Sequence, residues 1–167
     1  MSETMKQIVL ASRPNGAPTP ANFRLEEAPL PIPAEGEVLV SVEYMSLDPY
    51  MRGRMDDAKS YAANIPVDSK MEGGSVGKII ASNADGFEIG DFVIGSFGWA
   101  THSVATAVGL AKIDPHAAPI TYSLGVLGMP GFTGWYGSFR AGQTKEWRNP
   151  CCSSSHWPSR FYGWPIG

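Results

Sequence analysis

Glycine and proline punctuate this 167-residue chain throughout, 19 and 14 of them respectively, and that spacing limits what it can fold into. Both residues disfavour helix interiors and mark turns. The chain therefore reads as short strands broken by frequent turns rather than as a helical bundle. The clearest strand covers residues 36–47, where Val38, Val40, Val42 and Tyr44 alternate with Glu37, Leu39, Ser41 and Glu43. A period of two predicts a half-buried strand, one face inward. Further strands are expected at 6–11, 23–27, 72–82, 90–99, 103–107 and 109–113, with turns at 13–18 and at Asp85-Gly86. Strands so short and regularly interrupted imply a mainly β, partly closed barrel. Helix is expected only at 122–127 and 132–138.

Composition removes several function classes. Thirteen basic residues against 16 acidic ones make no phosphate-seeking surface, so nucleic acid is not an expected partner. The longest apolar runs, such as 123–134, are short and glycine-rich, below the roughly 20 residues that cross a bilayer. No basic-then-apolar leader opens the chain, and a cytoplasmic protein without membrane association is expected. Cys151 and Cys152 are neighbours and staple nothing across a fold. Residues 147–167 hold three of the five Trp, both Cys and three consecutive Ser, and fit neither helical nor strand periodicity. They read as an irregular tail.

Leu10-Ala11-Ser12-Arg13-Pro14-Asn15-Gly16-Ala17-Pro18, Asn22-Phe23-Arg24-Leu25-Glu26-Glu27, Ser46-Leu47-Asp48-Pro49-Tyr50-Met51-Arg52-Gly53-Arg54-Met55 and Leu127-Gly128-Met129-Pro130-Gly131-Phe132-Thr133 together make the chain resemble one family. This is the zinc-independent branch of the medium-chain dehydrogenases/reductases, with its curcumin, alkenal/one, leukotriene and prostaglandin reductases. The resemblance runs over residues 6–146. It implies a GroES-like catalytic domain over 1–128 and a junction helix region over 129–146, leading towards a Rossmann domain that is missing here, with 147–167 as an aberrant tail. It further implies NADPH-dependent reduction of the C=C bond of α,β-unsaturated aldehydes and ketones in the full-length family. This chain alone is expected to be inactive, and its uncovered face at 124–136 to invite self-association.

Asp48-Pro49-Tyr50 follows the best strand, where a barrel delivers a loop towards its mouth, and Pro49 restricts the residue before it. From residue type alone, Tyr50 is either a packed aromatic with its hydroxyl in water or a donor to a substrate carbonyl. The resemblance implies the second role, catalytic and substrate-binding. Arg52 reads as a salt-bridged or solvated arginine. Met129 and Thr133 are implied to border the nicotinamide of NADPH, on a helix starting near Gly131 with free N–H groups and glycines that admit a flat cofactor. Gly134 stands where the family usually has alanine.

Glu72-Gly73-Gly74-Ser75-Val76-Gly77 occupies the place where zinc-dependent relatives carry a Gly-His-Glu motif. It has no histidine, and 44–48 has no cysteine; catalytic zinc needs about three Cys, His or carboxylate ligands, so no metal is expected. The glycines precede a strand rather than joining strand to helix, which suits a tight turn or bulge better than a phosphate loop. His102, His116 and His156 have no partner at ligand spacing. Ser153-Ser154-Ser155-His156 lacks a nucleophile elbow, so hydrolysis is not expected. An alternative from another class is a GroES-like binding module without catalysis.

Overall fold

The computed structural model describes residues 4–57 and 63–141; the 147–167 segment, with both cysteines and His156, lies outside them. The chain divides into two units, Met1–Pro115 and His116–Gly167.

In the first unit, β1 (Thr4–Leu10) and β2 (Phe23–Pro29) form an antiparallel hairpin, paired from Thr4 opposite Pro29 to Leu10 opposite Phe23. Its connection is the proline-rich turn expected at 13–18. The remaining strands are β3 (Glu37–Met45), β4 (Gly74–Ser82), β5 (Phe92–Ser96), β6 (His102–Thr106) and β7 (Ala111–Ile113). They make an antiparallel sheet in the order β6-β3-β4-β5-β7. The other edge of β1 is stitched to both 69–71 and 99–101: Ile8 N–H donates to the Trp99 carbonyl at 2.8 Å, Met71 N–H to Ile8 at 3.0 Å and Leu10 N–H to Ser69 at 3.0 Å. This wraps the hairpin onto the sheet's connections and gives the mainly β, GroES-like architecture expected.

Two apolar clusters hold the unit. Val38, Val40, Ile79, Val93 and Phe97 form one beneath the sheet. Leu10, Met55, Ile65 and Met71, packed by Ile8, Phe23 and Trp99, form the other beneath β1. Burying each such side chain contributes about 1.5–3 kcal/mol.

The alternation expected for β3 holds at Val38 and Val40 and then fails. Leu39, assigned to the open face, is buried, and Tyr44, assigned inward, is exposed. The register with β4 slips between Leu39 and Val40 and again between Val42 and Tyr44. Glu43 is an extra residue at the second slip, and one extra residue turns those beyond it to the opposite face. The expected 90–99 strand survives only as Phe92–Ser96.

Helix also departs from expectation. Residues 50–54 form a short helix, α1 (Tyr50–Arg54), where none was foreseen. In the second unit a 3₁₀ turn spans Ile120–Leu124, and α2 covers Met129–Tyr136, followed by a π-type turn over Gly137–Ala141. Among the described residues no helix is long and apolar enough to cross a membrane.

Candidate active site

Tyr50 is the first residue of α1. Pro49 precedes it with helical backbone angles (φ −57°, ψ −30°), which suits proline at a helix start, and the Asp48 carbonyl accepts the Met51 N–H at 3.1 Å. Helix α1 turns one face into the core: Met51 and Met55, one turn apart, are both buried. Met51 packs so closely that a Cβ on Gly73 would sit 3.1 Å from its Cε and 3.4 Å from the Trp99 ring. Trp99 stacks on Phe23 with ring centroids 5.4 Å apart. Anchored from below, Tyr50 keeps 37% of its surface exposed.

Arginines fasten the other sides of α1. Arg54 engages both carboxylate oxygens of Glu72, with the Nη2–Oε1 leg at 2.9 Å, and its Nε donates to the Ala63 carbonyl at 2.9 Å. Arg52 pairs with Asp56 at 2.6 Å, the salt-bridged role expected of it, and also donates to the Gly16 carbonyl. Arg13 reaches across from the proline-rich turn to donate to the Met55 carbonyl at 2.7 Å.

Glu72 thus sits in a two-pronged guanidinium contact rather than in a group of metal donors. Among the described residues no cluster of three or more His, Cys, Asp or Glu could hold a metal ion. The rest of the Glu72–Gly77 stretch serves the sheet, with Gly77 paired opposite Val42 next to the slip at Glu43, the bulge role expected of it. His102 has its Nδ1 3.1 Å from the Thr101 hydroxyl. The Lys70 ammonium donates to Ser103 Oγ at 3.2 Å, and burial holds its pKa below the ordinary lysine range.

In the second unit, Met129 opens α2 with its side chain largely exposed, and the Thr133 hydroxyl donates to the Met129 carbonyl one turn back at 2.8 Å. The helix begins two residues earlier than expected, so the Gly131 N–H is not free: it donates to the Gly125 carbonyl at 3.1 Å, and Phe132 N–H to Gly128 at 3.0 Å. The glycines serve a different close approach from the one anticipated. A Cβ on Gly128 would lie 2.2 Å from the Ser123 carbonyl oxygen, and one on Gly131 1.8 Å from that of Val126. At both positions the chain's own backbone lies where a Cβ would go. Phe132, Trp135, Tyr136 and Phe139 expose an aromatic face in this unit.

Sequence reasoning placed Tyr50 in a loop and missed Arg13, Arg54 and Glu72 as its supports. Two signals were available for the helix: apolar Met51 and Met55 at i, i+4, and the opposite charges of Arg52 and Asp56 at the same spacing.

Comparison with known proteins agrees with this architecture. Residues 6–113 match a family model described as the N-terminal domain of oxidoreductase. The chain is 48% identical over 141 residues to the NADPH-dependent curcumin reductase of Escherichia coli (strain K12), covering 84% of this chain and 41% of that protein. It is 34% identical over 125 residues to prostaglandin reductase 1 of Rattus norvegicus, covering 73% of this chain and 36% of the relative. The crystal structure of CurA from Vibrio vulnificus in complex with NADPH superposes with a TM-score of 0.79 at 47% identity, over 84% of this chain and 42% of that one. A β-barrel unit of this topology carrying these motifs is the N-terminal part of a medium-chain oxidoreductase. The chain belongs to the zinc-independent, NADPH-dependent medium-chain dehydrogenase/reductase family. It spans about two fifths of the length of these relatives.

Proposed function

We propose that this chain supplies the substrate-orienting part of an NADPH-dependent reductase acting on the C=C bond of α,β-unsaturated aldehydes and ketones, without zinc. The observation that carries this reading is the presentation of Tyr50: a partly exposed tyrosine at the start of a helix whose other sides are held by buried methionines and three arginines. The names of the relatives, curcumin and prostaglandin reductase, support the substrate class.

The nicotinamide, when bound, supplies a hydride for the β-carbon, and a proton is added at the α-carbon. Tyr50 Oη donates a hydrogen bond to the substrate carbonyl oxygen and keeps its proton, stabilising negative charge as it builds on that oxygen. The anchoring of α1 holds the donor in place before charge develops, so no reorganisation is needed at the moment of transfer. Met129 and Thr133 fit a place beside the nicotinamide in part. The Met129 side chain is open, and the Thr133 hydroxyl, though donating to Met129, still has lone pairs to accept with.

The test joins residues 1–141 in frame to the remainder of the Escherichia coli curcumin reductase and compares the chimera with its Tyr50→Phe variant. One lost oxyanion donor costs about 2.7–4 kcal/mol, or 10²–10³-fold. That loss is expected in kcat/KM for an enone, with NADPH affinity nearly unchanged. Wild-type kinetics in the variant would remove Tyr50 from the mechanism.

A further inference from the structure

The arginines around α1 do unequal jobs, and one is placed to set the outlook of Tyr50. A helix of five residues has no independent stability, since isolated helices need roughly 12–15 residues to persist in water. Its orientation must come from what grips it. Met51 and Met55 fix its depth, and Arg54 ties its last turn to Glu72 and Ala63. Those contacts lie on its buried face and at its last turn.

Arg52 adds a tie to a different segment of the chain. Its Nε and Nη2 both donate to the Gly16 carbonyl, at 3.0 and 2.8 Å, while Nη1 holds Asp56 at 2.6 Å. The planar guanidinium bridges the early part of α1 to the proline-rich turn. That turn grips the far end as well, through Arg13 and the Met55 carbonyl at 2.7 Å. We propose that Arg52 is a positioning residue: with the Arg13–Gly16 turn it clamps α1 so that the Tyr50 hydroxyl is held in one orientation for a substrate carbonyl. The catalytic meaning of this clamp rests on the role of Tyr50 proposed above. Half-exposed ion pairs add little to stability, so the consequence of the contact is geometric. Lysine cannot replace it, because a single ammonium on a flexible stem lacks the rigid fork that meets Gly16 and Asp56 together.

The experiment uses the whole 167-residue chain labelled with 3-fluorotyrosine. Its six tyrosines each carry one fluorine label, and the fluorine NMR line that disappears in Tyr50→Phe is the one from Tyr50. Arg52→Lys is expected to broaden that line, or to move it more than halfway towards free fluorotyrosine, while the other five stay in place. Asp56→Asn, which keeps the fork on Gly16, is expected to leave it unmoved. A Tyr50 line unchanged in Arg52→Lys would overturn the clamp, and so would a change shared by all six lines, which signals general loosening. The two readings fail separately. An unmoved line beside a large kinetic effect of Tyr50→Phe refutes the clamp alone, whereas a line that follows Arg52 beside unimpaired Tyr50→Phe kinetics refutes only the catalytic role.

Discussion

Gly77→Ala is the sharpest test of the sheet that delivers Tyr50. Gly77 lies inside β4, where a Cβ would stand 2.3 Å from the Ser41 carbonyl oxygen and 2.6 Å from Val40 Cγ1. Carbon and oxygen ordinarily approach to about 3.3 Å. The added methyl therefore drives the backbone of β3 away by about 1 Å, or forces Val40 out of its packed rotamer in the first core cluster. Overpacking of this kind costs typically 1–3 kcal/mol. The upper half of that range applies, because the nearest atom is backbone and cannot swing aside. At roughly 2–4 °C per kcal/mol for a chain of this size, thermal unfolding followed by circular dichroism should show Tm lowered by about 4–12 °C. Gly53→Ala is the matched control: its Cβ meets nothing within 4 Å and it lies in α1, where alanine is favoured by about 1 kcal/mol, so its Tm should rise by a few degrees. A Gly77→Ala protein melting within about 1 °C of wild type would refute the close approach of β3 and β4. So would a Gly53→Ala protein that falls as far as Gly77→Ala.

Acid should act through Asp91. Its carboxylate accepts the Glu88 N–H at 2.9 Å and meets the Lys112 ammonium at 2.5 Å, and these, in that order, hold its pKa below the ordinary range. The stabilisation it gives is complete above the unfolded value of about 3.9 and is lost as pH falls through the lower folded value. Asp91→Asn should therefore lower Tm at pH 7, with the gap to wild type closing below about pH 3.9; a gap independent of pH would refute this. A second expectation concerns residues 147–167, whose three Trp, two Cys and Ser run set them apart from the rest of the chain: they read as a frameshifted version of a Rossmann strand and its glycine turn. Tryptophan has the single codon TGG, so one base over, Trp147, Trp157 and Trp164 each become glycine. The DNA across 145–167 should encode an A-A-x-G-x-V-G turn in that frame, and codons that cannot do so would sink the idea.

What the chain made legible was set by physical range. Strand positions follow from nearest-neighbour alternation, and the valines of β3 announced their face at Val38 and Val40. Parity was lost at Glu43 because a bulge inserts one residue for reasons that lie in β4, where Gly77 lets the two backbones close up. Helix α1 escaped because five residues, one of them the glycine Gly53, carry little local helical preference. Its stability comes from Arg13, 42 positions from the Met55 carbonyl it binds, and from Glu72, 18 positions from Arg54. The early start of α2 was hidden for a similar reason. Gly128 and Gly131 answer to the backbone at Ser123 and Val126, and glycines read alone do not say what approaches them.

In the first unit the stretches 13–18 and 46–55 therefore depend on one another. A tyrosine after Asp-Pro is a common enough arrangement, and by itself fixes no hydroxyl in space. Under the role proposed above, it becomes a directed donor when the next turn carries an arginine, when a second segment offers a carbonyl at the correct height, and when that segment returns an arginine of its own. Here the Gly16 carbonyl receives Arg52 and Arg13 reaches Met55, so neither stretch can change its backbone without unseating the other. The turn's prolines set that backbone, and Gly16 adopts φ +82° within it, a conformation costly to most side chains. A sequence with one stretch and not the other would keep the cluster of Val38, Val40, Ile79, Val93 and Phe97, which draws on neither, while losing the ties that join Gly16 to Arg52 and Arg13 to Met55.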